Sequence, residues 1–114
     1  MTRAGIFIGV DKAGDLPQLG DAAAGARRMY EWALYQGLPE RTHARLITDS
    51  GGRKVEPTEI SDAVESICNG AGVDQLVLYF AGHGVNLQRG DRWLLSDAPA
   101  RSYAAVNVKG SVEV

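Results

Sequence analysis

The sequence predicts an α/β fold with a mainly parallel sheet in three layers. Three observations predict it. The stretches Ala4 to Val10 and Gln75 to Ala81 are apolar on both faces, as strands covered by helices on either side must be. Two amphipathic helical patterns alternate with three strand-like stretches. The length of 114 residues, with 45% hydrophobic and 23% charged residues, fits one ordinary globular domain.

The first strand, Ala4 to Val10, ends at Asp11. A loop follows to Leu19, marked by Gly14, Pro17 and two aspartates. The first helix is expected from about Asp21 to Gln36, because Ala22, Ala26, Met29 and Ala33 recur at helical spacing. Small residues on that stripe let the helix lie close to a sheet, and Gly37 supplies the stop. Gly25 inside the helix costs about 1 kcal/mol relative to Ala. Tyr30, Trp32 and Tyr35 are expected in the core and rim of this helix. The second strand is about Ala44 to Thr48, and Asp49 to Lys54 reads as a flexible, solvated loop. The second helix starts near Pro57 or Thr58, where proline's missing N–H is no loss. Ile60, Ala63, Val64 and Ile67 form its core-facing stripe, and Asn69-Gly70 ends it. The third strand, Gln75 to Ala81, breaks into Gly82-His83-Gly84. A short strand is expected at Arg92 to Leu95, between a polar turn around Gln88 to Asp91 and a closing Ser96-Asp97-Ala98-Pro99. Tyr103 to Val114 carries no clear pattern.

Composition excludes several function classes. Twelve basic against fourteen acidic residues leave a net charge of -2, so nothing electrostatic points to nucleic acid. The longest uninterrupted apolar run, Leu76 to Ala81, is far too short for a bilayer, and no membrane partner is expected. The first residues lack the cleavage pattern of a signal peptide. One cysteine, Cys68, forms no internal disulfide, which makes a reducing cytoplasm the expected compartment. No histidine or cysteine cluster has metal-ligand spacing, and no phosphate-binding loop, dinucleotide fingerprint or serine elbow is present. No cofactor is expected.

Chemistry concentrates at His83. It follows a core strand directly and lies between two glycines, which let the backbone turn and approach a ligand. Ligand chemistry in open α/β sheets belongs outside the carboxyl ends of the strands, where both Asp11 and His83 fall. An imidazole there is a natural proton acceptor for a thiol or hydroxyl nucleophile. Gly84 has no side chain to crowd its N–H, so that N–H could donate to a developing oxyanion. The plain alternative is a histidine that closes a strand end. His43, among Arg41, Thr42 and Arg45, reads as surface.

The stretch Gln75-Leu-Val-Leu-Tyr-Phe-Ala-Gly-His-Gly84 resembles the histidine motif of caspase-like cysteine peptidases, in the metacaspase and bacterial orthocaspase branch. Gly5 to Asp11 resembles their first strand, Leu16-Pro17 to Gly37 with Ala26-Arg-Arg-Met29 their first helix, and Trp93-Leu-Leu-Ser-Asp-Ala98 the segment after their histidine. The resemblance implies a caspase-like fold. It implies peptide-bond hydrolysis by a cysteine–histidine dyad, with His83 as general acid/base and Gly84 as an oxyanion donor. The implied substrate is a peptide or protein.

The sequence departs from that pattern twice. The family's nucleophile lies in an Asp-x-Cys setting on the next core strand, and no such segment follows Ala81 here. Cys68 precedes the third strand, which puts it about 20 Å from His83 at roughly 3.3 Å per residue. It reads instead as a buried core cysteine. The chain is therefore expected to be the amino-terminal part of the peptidase domain, inactive alone. A carboxyl-terminal segment or separate chain would carry the cysteine, and the third strand's apolar edge is expected to be covered by such a chain, by another copy or by the Tyr103 to Val114 tail. Second, metacaspases usually carry an aspartate at the position of Gly25 that helps bind a basic side chain before the cleaved bond. Asp21, one turn earlier, and Asp11 are the candidates for lining the substrate cleft, Asp11 being equally readable as a turn-capping aspartate. Two other readings stay open: a non-catalytic pseudoprotease that binds partners through the sheet edge, and a flavodoxin-like small-ligand binder.

Overall fold

The computed structural model describes residues 3–14, 16–40, 42–70, 72–87, 90–96 and 105–107. The order is β1 (Arg3–Gly9), α1 (Ala22–Tyr35), β2 (Ala44–Thr48), a 3₁₀ turn (Ser50–Gly52) and α2 (Pro57–Gly70). β3 (Gln75–Ala81), β4 (Gly84–Leu87), β5 (Gly90–Leu94) and β6 (Ala105–Asn107) follow. The second and third strands match their expected bounds, and α1 is one residue shorter at each end. Pro57 opens α2, and Gly37, at φ +98°, follows the end of α1.

β1, β2 and β3 form a parallel sheet in the order β2-β1-β3. Since β2 and β3 flank β1 on opposite sides, right-handed crossovers place the two helices on opposite faces. The alternation of β1 supplies both cores. Ala4, Ile6, Ile8 and Val10 pack with Ile60, Ala63 and Ile67 of α2, and with Ile47, Val55 and Leu95. On the other face Phe7 packs with Ala26 and Ala33 of α1, and with the half-buried Met29, Tyr30, Leu46 and Tyr79. The Phe7 ring meets those of Tyr30 and Tyr79, each at 6.3 Å between centroids. The α/β class and the three layers follow from this division.

Four expectations need correction. At the edge of its sheet among the described residues, β3 is not buried as a core strand would be: Gln75 and Val77 are exposed and its other residues half-buried. Trp32 and Tyr35 point outward, 57% and 87% exposed, so only Tyr30 of the three packs against the core. Cys68 is exposed, because it lies one residue, or about 100° of helix, past the buried Ile67. The expected single strand at Arg92 to Leu95 is β5, the centre of a second, antiparallel sheet in the order β4-β5-β6. Leu95 itself leaves the strand and is buried in the main core. Of the turns expected around β5, Gln88, Arg89 and Asp97 to Pro99 lie outside the described residues, as does most of Tyr103 to Val114.

Candidate functional site

The strand order β2-β1-β3 places a topological switch between β1 and β3, and the crevice beyond their carboxyl ends is where such sheets bind ligands. Two glycines shape it. A Cβ on Gly9, the last residue of β1, would lie 2.5 Å from the Ala22 carbonyl oxygen and 2.7 Å from the Ala23 Cα. Glycine there lets the amino end of α1 rest on the end of β1. A Cβ on Gly82 would lie 2.9 Å from the Val10 carbonyl oxygen. Glycine there lets the exit of β3 cross the end of β1 and carry His83 over the loop that follows β1.

His83 is half-buried, and its Nε2 lies 2.7 Å from the Pro17 carbonyl oxygen. A carbonyl only accepts, so Nε2 carries the hydrogen and Nδ1 of the neutral ring is left as an acceptor. This contact spans 66 positions in the chain and joins the exit of β3 to the loop between β1 and α1. Gly84, next to His83, starts β4 and stands opposite Trp93 of β5.

Several bonds fix that loop. The Val10 N–H donates to the Ala81 carbonyl at 2.9 Å, which extends the pairing of β1 with β3. The Asp11 and Lys12 N–H groups donate to Asp49 Oδ1 and Oδ2, at 3.1 and 3.0 Å. Leu19 N–H donates to the Asp11 carbonyl, and Gly14 N–H to the Ser96 carbonyl. Ser96 is tied in turn to Val55, whose N–H donates to the Ser96 hydroxyl at 2.7 Å.

Asp11 and Asp21 both come to the amino end of α1, in different roles. Asp11 Oδ1 accepts the Ala22 N–H at 2.8 Å and the Ala23 N–H at 3.4 Å. It thereby satisfies free donors of the first turn, where a carboxylate also favours the helix dipole. Asp21 occupies the cap position, yet its side chain makes no capping bond and is exposed. Of the two, only Asp21 has a carboxylate not engaged with the helix end.

Cys68 lies near the carboxyl end of α2, and β3 then runs seven residues, Gln75 to Ala81, before His83. At roughly 3.3 Å per residue this separates thiol and imidazole by the length of the sheet. His43, expected at the surface, is half-buried, with Nδ1 3.0 Å from the Thr42 hydroxyl.

Asp49 and the Pro17 carbonyl are the two site groups that sequence reasoning missed. In sequence Asp49 is one polar residue of a loop expected to be solvated, and the nearest signal is its place directly after β2, on the same sheet edge as Asp11. A main-chain carbonyl leaves no mark on sequence. Among the described residues no group of three histidine, cysteine, aspartate or glutamate side chains could hold a metal ion. No helix among them is long and apolar enough to cross a membrane. Compared with known protein families, curated proteins and solved structures, the chain matches none.

Proposed function

We propose that this chain is the base-bearing, amino-terminal part of a caspase-like cysteine endopeptidase of the metacaspase and orthocaspase branch. The observation that carries the reading is the Nε2 contact of His83 with the Pro17 carbonyl, beyond the carboxyl ends of β1 and β3. An imidazole held this way keeps Nδ1 free to accept a proton. A polypeptide segment carrying Asp-x-Cys, paired along the edge of β3 that is open among the described residues, supplies the thiol.

In the proposed reaction the thiol proton passes to Nδ1 of His83 as sulfur attacks the scissile carbonyl carbon. The Gly84 N–H, with the cysteine's own N–H, receives the oxyanion. The imidazolium then protonates the leaving amine as the C–N bond breaks. Water, deprotonated by the same ring, hydrolyses the thioester and restores the thiol. Asp21 and Asp11 are the proposed substrate-facing carboxylates, with Asp21 the better placed because Asp11 is engaged with α1.

Peptide hydrolysis by the chain mixed with an Asp-x-Cys segment tests this reading. The chain alone is expected to give no turnover, and alkylation of its exposed Cys68 is expected to leave the complemented activity unchanged. Loss of turnover on alkylating Cys68 would overturn the placement of the nucleophile.

A second reading, a non-catalytic partner-binding module, is favoured by one observation. Val77, on the edge strand β3, is 47% exposed, and among the described residues β3 pairs with β1 alone. Binding of a strand-forming segment without any hydrolysis would support it over the enzyme.

A further inference from the structure

The carbonyl that holds His83 belongs to the connection between β1 and α1, whose described residues form neither helix nor strand, so something must keep that loop in place. Its closure runs through Asp11. The Asp11 carbonyl accepts the Leu19 N–H at 2.8 Å, and the Asp11 carboxylate holds the first N–H groups of α1. Pro17 sits inside the span closed in this way. Asp11 is itself anchored from outside the loop. Asp49, just past β2, takes the Asp11 N–H on one carboxylate oxygen and the Lys12 N–H on the other. The Asp49 N–H also donates to the Gly9 carbonyl at 3.3 Å, which ties it to the end of β1.

We propose that Asp49 is a positioning residue for His83: by clamping Asp11 and Lys12 it fixes the loop that holds the Pro17 carbonyl on Nε2, and so keeps Nδ1 as the free nitrogen. The catalytic meaning of that free nitrogen rests on the function proposed above; the ring geometry does not. A carboxylate suits the task because two oxygens can accept two successive N–H groups at once, with charge-assisted strength. Asparagine offers one acceptor oxygen, and its NH₂ group faces an N–H it cannot bind.

Proton NMR of the ¹⁵N-labelled chain tests the proposal without any nucleophile or substrate. In the unaltered protein the His83 Nε2–H is expected as a resolved resonance protected from water. Asp49→Ala is expected to speed its exchange roughly tenfold, the factor that losing about one hydrogen bond of protection gives. Asp49→Asn is expected to fall between the two. Amide protection in β1 and the ring signals of His43 are expected to stay unchanged, which separates positioning from general loosening. Equal Nε2–H exchange in Asp49→Asn and the unaltered chain would overturn the proposal. So would faster exchange accompanied by an equal loss of β1 amide protection, or an unprotected Nε2–H in the unaltered chain. Should Asp49→Ala fail to fold, the asparagine variant decides alone. Failure of the peptidase reading would appear as absent hydrolysis and would leave these ring measurements as they are.

Discussion

β1 and β3 are both seven-residue strands, paired in parallel from Arg3↔Gln75 to Gly9↔Ala81, and they live in different environments. From Ala4 onward β1 is buried at every position, whereas β3 is exposed or half-buried throughout. Their sequences do not foretell this: β3 is the more uniformly apolar of the two. The difference comes from strand order, which puts β1 between two neighbours and two helices and, among the described residues, leaves β3 with one neighbour. An apolar run reports that the faces of a strand are covered. It carries no information about the strand's lateral edges, and on β3 that edge is where a further strand can add.

The largest stability effect expected from this contrast is at Ile6. It is fully buried, and Ile6→Ala should destabilise the chain by about 2–5 kcal/mol, seen in denaturant unfolding. Val77→Ala on the edge strand should cost less than about 1 kcal/mol. Equal losses would mean that β3 is covered as fully as β1.

The registered pair Gly9↔Ala81 sharpens the point, since Ala81 already carries a methyl. Gly9→Ala would drive a Cβ into the backbone of Ala22 and Ala23, for an expected cost of about 1–3 kcal/mol. A neutral Gly9→Ala would show that α1 does not rest on the end of β1.

Next in size is Asp11→Ala. Removing the carboxylate that caps α1 should cost about 0.5–2 kcal/mol in thermal or denaturant unfolding. Asp21→Ala, at the cap position with no capping bond, should cost markedly less, and the reverse order would exchange their assigned roles.

The smallest effect has the opposite sign. A Cβ at Gly25 would meet the Tyr79 hydroxyl at 3.5 Å, an ordinary contact. Gly25→Ala should therefore stabilise the chain by about 0.5–1 kcal/mol through helix propensity alone. A loss of stability would mean that α1 lies closer to β3 than this contact allows.

Much of the fold was legible because its signals are local. Ile60, Ala63 and Ile67 announce the buried face of α2, and the run Gln75 to Ala81 announces β3. What escaped depends on partners far along the chain. β4 and β6 have four and three residues, too few for any period to show, and exist as strands only through pairing with β5. Cys68 follows Ile67 by one helical step, and its composition suggested burial where its position gave exposure. At the site, His83 and its strand-end setting could be read directly from sequence. The contact that orients it could not, because its acceptor is a main-chain atom 66 positions away, anchored by an aspartate 38 positions from Asp11.

The proposed role of His83 is that of the proton-transfer group in a peptidase completed by another segment. Peptide hydrolysis by the chain complemented with an Asp-x-Cys segment, compared between the unaltered protein and His83→Ala, tests it most directly. Turnover is expected to fall about 10²–10⁴-fold in the variant while the unfolding midpoint of the chain barely moves. Undiminished hydrolysis by His83→Ala, or none by the complemented unaltered chain, would contradict it.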